Sequence, residues 1–236
     1  MKIYDLKQMA KTTRDKMEIT DTEVSGFKMA ILGMRNPMNS WEFSDSRIED
    51  GTFVFGENDL KLAQSLIIAG SEHSKFMRMI HVQANVNMPR YFWSEADTYH
   101  FNTKNSCSTM HKLLNNKNKI KKDLFVYCEE DKDIVDIIVE RLEYLRQMYL
   151  EARNNEQKDR LLLRAKRILL EGFLQMRTFD TNYAEIRNMY FQRRNHRLKE
   201  EWQQVFCKWV ESLPYAKELI LFEKPKEGTN GNIKER

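Results

Sequence analysis

Cysteine, proline and glycine are all scarce in this chain, at 3, 4 and 8 residues among 236. Cys107, Cys128 and Cys207 are odd in number and far apart, so no disulfide framework is expected and the compartment reads as reducing and cytoplasmic. The shortage of Gly and Pro excludes a low-complexity architecture, and no linker rich in Pro, Gly or Ser divides the chain. Long apolar runs are missing too. The longest, Leu66 to Gly70, is far too short for a bilayer, and the opening MKIYDLKQMAKTTRD lacks the apolar region of a signal peptide, so no membrane association is expected. Neither sign of charge dominates. A net charge of +4 suits local anion sites without itself implying a nucleic-acid binder. No Gly-rich phosphate loop is present, and Cys107 with His111 has no second pair at metal-ligand spacing, so no metal site is expected.

What remains is enough for one packed domain: 41% hydrophobic residues, 11% aromatic and 31% charged. Ile19 to Glu23 offers N-caps for an amphipathic stretch through Val24, Phe27, Ile31 and Leu32. Asp50-Gly51 is a turn signal, and Thr52 to Phe55 reads as a short strand. Asn58-Asp59 should cap a helix that ends at Gly70. From Met77 to Asn87 the period becomes two, with Ile80, Val82, Ala84 and Val86 on one face, so a half-buried strand is expected. Ser94 to Leu114 reads as polar and irregular, and Asn115 to Lys122 as an exposed basic stretch. Helical spacing returns over Asp133 to Arg153, over Gln157 to Leu170, and from Asn182 onward. There Trp202, Val205, Phe206 and Trp209 form a stripe suited to a core or a subunit interface, and Pro214 stops the helix. The expectation is an α+β fold, helix-rich, with a small sheet in a single domain over 1–222 and a disordered charged tail over 223–236.

Two segments carry a resemblance. In LKLAQSLIIAGSEHSKFMRMIHV, a helix ends at Gly70, Glu72-His73 follows, and an alternating strand runs on through Ile80 and Val82. In NYAEIRNMYFQRRNHRLKEEW, Asn182 opens a helix, Arg193 lies eleven residues on, and His196 and Trp202 come after it. Eleven residues at about 3.6 per turn return to nearly the same face. This order resembles the flavin-dependent thymidylate synthases. Between the segments, that family carries an Arg-His-Arg signature and a serine that meets the nucleotide. Here Ser94, Glu95, Ala96 and Asp97 occupy the signature's place, and Ser106 or Ser108 stands where the serine falls.

The resemblance implies an enzyme that transfers a one-carbon unit to dUMP, with FAD as hydride donor and with reduced nicotinamide and methylenetetrahydrofolate as co-substrates. It also implies a homotetramer. By the same resemblance Arg193 would hold the pyrimidine, Ser106 or Ser108 would orient the nucleotide, and His73, Arg90, Asn182 and His196 would line the cofactor pocket. Two alternatives stay open. One is a divergent homologue that has lost flavin and binds a nucleotide, or less favourably a nucleic acid, without redox chemistry. The other is a structural oligomer that keeps only the shell of the fold.

Overall fold

The computed structural model describes residues 16–115 and 119–224. The tail expected over 223–236 therefore lies outside the described residues from 225 onward, as do residues 116–118 of the basic stretch.

A four-stranded antiparallel sheet forms the spine. Strand β1 (Glu18–Ser25) pairs with β4 (His81–Pro89), β4 with β6 (Leu174–Asn182), and β6 with β5 (Thr103–Ser106). A separate ribbon joins β2 (Arg47–Glu49) to β3 (Thr52–Val54). Along β4 the expected alternation holds as far as Val86, with Val82, Ala84 and Val86 buried and His81 and Gln83 facing outward, and it ends at Asn87, which is buried too. The strand begins later than its pattern suggests, because Lys75–Met79 winds into a 3-10 turn first.

Helices cover this sheet. They are α1 (Phe27–Arg35), α2 (Glu57–Ala69), α3 (Arg90–Ala96), α4 (Lys132–Glu151), α5 (Asn155–Ile168) and α6 (Tyr183–Arg193). Beyond α6 the chain leaves helical geometry and resumes as a π-helical stretch, Lys199–Cys207, followed by the turn Lys208–Glu211. The last helix is thus broken where periodicity alone suggested continuity.

The caps differ from expectation in two places. Ile19 to Glu23 does not cap α1; it lies within β1, and Gly26 makes the corner at φ 95°. A side chain there would collide with the carbonyl of Met79, so both conformation and space require glycine. Asp59 does not cap α2 either. It is buried, accepting from Arg35 Nε at 2.5 Å, Ser44 Oγ at 2.7 Å and Ser46 N at 3.0 Å. Asp45 supplies the cap instead, taking the N–H groups of Asn58 and Asp59 at 2.9 and 3.1 Å.

Two apolar clusters result. The larger one surrounds the sheet and contains Phe92, Trp93, Tyr183, Trp202 and Phe206. The stripe from Trp202 to Trp209 belongs to it, with Val205 at its margin, which answers the choice between core and interface in favour of core. The smaller cluster joins Leu142 and Leu145 of α4 to Leu161 and Ala165 of α5, with Leu114, Ile120 and Phe125 below. Glu143 ties this layer down, accepting from Ile120 N at 3.0 Å and Arg146 Nε at 2.7 Å. Among the described residues no helix is long and apolar enough to cross a membrane.

Candidate functional site

The two segments that carry the resemblance meet. The turn after α2 and the outer face of α6 form the walls of a cleft of about 320 Å³. Ser71, Ser74 and Arg78 line one wall, and Arg187, Asn188 and Phe191 the other. Local sequence explains the placement. Gly70, at φ 112°, ends α2 and reverses the chain, and the side chain of Asn182 accepts from Glu185 N at 3.0 Å to start α6.

The cleft is basic with one aromatic face. Arg187 lies over the Phe191 ring at 4.7 Å and donates to the carbonyls of Leu219 and Ile220, which fixes its guanidinium. Burial pulls the Arg187 pKa below the usual arginine value. Arg78 lies over the ring of Phe101 at 5.9 Å. Such a wall suits an anionic group.

His73, Asn182 and Arg193 adjoin the cleft in sequence without lining it. His73 is exposed between Ser71 and Ser74, and Asn182 is engaged as the helix cap. Asn182 and Arg193 share a face of α6 but stand at its two ends, separated by about 16 Å of rise. Gln192 connects the cleft to the next group, since Tyr99 donates to it at 3.0 Å while accepting from Arg193 Nε at 2.9 Å.

That next group is a closed knot of charge. One oxygen of Glu95 accepts from Arg193 Nη1 at 2.9 Å and from Trp202 Nε1 at 2.8 Å, with His196 Nε2 at 3.5 Å. The guanidinium of Arg193 also lies over the Trp202 ring at 4.6 Å. Arg193 and His196 are therefore brought together, around a carboxylate from the stretch Ser94 to Asp97. Asp97 of the same stretch takes Arg177 Nη1 at 2.9 Å and Lys104 Nζ at 3.3 Å. The two acidic residues hold cations of their own chain.

The remaining sequence candidates lie along another edge. Ser106 ends β5 opposite Arg177, and Ser108 caps the single turn Thr109–Lys112 by accepting from His111 N at 3.2 Å. Arg90 pairs with Glu171 at 3.0 Å. Beside it stands Lys166, absent from the sequence candidates, which donates to Thr109 Oγ1 at 2.6 Å. Burial first, and then the charge of Arg90, lower its pKa. Nothing in α5 separates Lys166 from Lys158, Arg160, Arg164 and Arg167 as a pattern, so only the fold could single it out.

No family model and no curated protein matches this sequence. The architecture is that of the flavin-dependent thymidylate synthases. One solved structure sharing it is ThyX from Helicobacter pylori complexed with FAD and dUMP, at TM-score 0.63 and 19% identity, covering 88% of this chain and 98% of that one. A second structure of Helicobacter pylori ThyX with FAD and dUMP gives TM-score 0.64 at 17% identity, with the same coverage of 88% and 98%.

Proposed function

We propose that this protein binds a flavin nucleotide in the cleft between the turn after α2 and the face of α6. The observation that carries the reading is the convergence there of Arg78, Arg187, Ser71 and Phe191. Those residues fit FAD in kind through guanidinium groups for phosphate and a hydroxyl, while the Phe191 ring backs the cations Arg187 and Arg194 at 4.7 and 4.6 Å. Bound flavin would supply hydride transfer; the residues named here would hold and orient it. The solved relatives with FAD support the choice of ligand.

The geometry at Arg193 fits dUMP poorly. The side chain that would hold the pyrimidine already has a carboxylate partner, an indole beneath it and a tyrosine hydroxyl on Nε. Glu95 would also repel a nucleotide phosphate. This argues against one-carbon transfer to dUMP, while the flavin site proposed here departs from the flavin-free second reading. Methylenetetrahydrofolate and reduced nicotinamide belong to the enzyme reading alone.

An absorption spectrum after addition of FAD and removal of excess tests the proposal. A retained band near ~450 nm, weakened about tenfold in affinity by Arg78→Ala, is the expected result. Loss of all flavin on desalting would remove it. Addition of dUMP should leave the band unchanged if Glu95 holds Arg193, whereas a clear shift would restore the synthase reading.

A further inference from the structure

We propose that the outer face of α5 docks on the sugar-phosphate backbone of a nucleic-acid duplex. On its inner side α5 buries Leu161 and Ala165 in the smaller cluster. On the opposite side stand Arg160, Arg164 and Arg167, with Leu163, 50% exposed, among them. At about 3.6 residues per turn the three arginines fall within about 60° of arc and span about 10.5 Å of rise. Arg160 and Arg167 are exposed, Arg164 is half-buried, and none of the three is paired with a carboxylate among the described residues. The other cations of the helix are engaged. Lys158 lies over the Tyr149 ring at 5.7 Å, and Lys166 donates to Thr109 Oγ1 at 2.6 Å.

The acids nearby leave the row open. Glu156 sits in the first turn of α5, where the positive end of the helix favours a carboxylate. Asp159 falls about 80° of arc from the nearest of the arginines. On the neighbouring helix α4, Asp136 pairs with Lys122 and Glu143 with Arg146, while Asp133, Glu140 and Glu151 make no ion pair with α5. The negative end of a helix favours cations in its last turn, which accounts for Lys166 and Arg167 but not for Arg160 and Arg164.

Spacing and surroundings select the partner. One strand of duplex DNA presents a phosphate about every 3.4 Å along the axis, so about 10.5 Å of α5 passes about three of them. Guanidinium groups meet phosphate oxygens with paired N–H donors. No aromatic residue lies on α5, so the stacking that holds a single strand is missing and the backbone is what this face can grip. A lipid surface or an acidic peptide helix calls for a broad apolar face beside the charge, and here only Leu163 offers one. Contacts of this kind fix position without reading sequence. The inference stands independently of the flavin reading, because α5 takes no part in that cleft.

Fluorescence anisotropy of a labelled DNA duplex of about 20 bp, titrated with the full chain from about 50 to about 200 mM salt, tests it. The logarithm of affinity should fall with the logarithm of salt at a slope of about −2.7, as three phosphate contacts require. Arg160→Ala should reduce that slope by about one. Arg160→Ala, Arg164→Ala and Arg167→Ala together should weaken binding at least about tenfold, with an unchanged circular dichroism spectrum. Lys28→Ala, Lys199→Ala and Lys217→Ala together remove the same charge from exposed positions elsewhere, and should leave affinity within about threefold of the parent. Duplex RNA in a parallel titration tells which duplex is preferred, and either should bind more tightly than a single strand. Equal weakening by the lysine variant, no binding of any duplex at the lowest salt, or binding of a single strand, poly-glutamate or phosphatidylserine vesicles as tight as that of duplex would overturn the proposal.

Discussion

Glu95 shows how one side chain can redirect a site. Its carboxylate satisfies the indole N–H of Trp202, which is fully buried, and neutralises Arg193. Glu95→Ala leaves the indole without an acceptor and Arg193 without its carboxylate, and should cost about 2–3 kcal/mol, read as a lower urea midpoint at constant slope. Glu95→Gln keeps an oxygen for the indole and should cost about 1 kcal/mol. Equal midpoints for parent and Ala variant would show the knot to be slack. Asn182 allows a similar separation of roles. Asn182→Ala should cost about 1 kcal/mol through the lost cap, while Asn182→Asp should retain the cap and most of the stability. At this scale the sequence was legible for identity and spacing but silent on pairing. Nothing local to Ser94-Glu95-Ala96-Asp97 says that its acids face Arg193, Arg177 and Lys104, residues brought near by α6, β6 and β5.

Secondary elements were legible where one face is wet and the other dry. The alternation of β4 and the helical period of α4 are such cases. Strand β6 lies between β4 and β5, and its apolar residues change parity: Leu174 and Met176 are even, Phe179 is odd. A period-two template loses it there. Strand β5, Thr-Lys-Asn-Ser, has no apolar residue at all and is a strand only because β6 offers it an edge. Glu143 supplies an element-scale prediction. Its hydrogen bonds from Arg146 hold its pKa below the usual 4.5 against the opposing effect of burial. A group depressed in the folded state contributes stability above its unfolded pKa and loses it as pH falls through the folded one. Stability should therefore decline below about pH 4.5, and Glu143→Gln should flatten that acid limb while lowering the plateau at neutral pH. An unchanged acid limb in thermal melts across pH would assign it to other carboxylates, Asp59 among them.

Over the whole molecule, the two apolar clusters divide the labour. One holds the sheet against α6 and the Trp202 stretch; the other binds α4 to α5. Leu142, wholly buried in the second, should cost about 3 kcal/mol when changed to Ala. Hydrogen exchange should show that loss first in α4 and α5, with β4 and β6 less affected; uniform loss would mean the clusters unfold as one. The class of fold could be read before the structure because composition, two helix-strand junctions and their order survive great divergence. The site could be read only in part, since its cleft and its charge pairs arise between segments far apart in the chain.

The knot at Glu95 also bears on inheritance. Its partners Arg193 and Trp202 lie 98 and 107 residues away. Exchange of Glu95 alone strands the buried Trp202 donor and leaves Arg193 without its carboxylate. Variants that reopen Arg193 to an outside ligand must therefore change more than one position together, and such paths are rarely taken one step at a time.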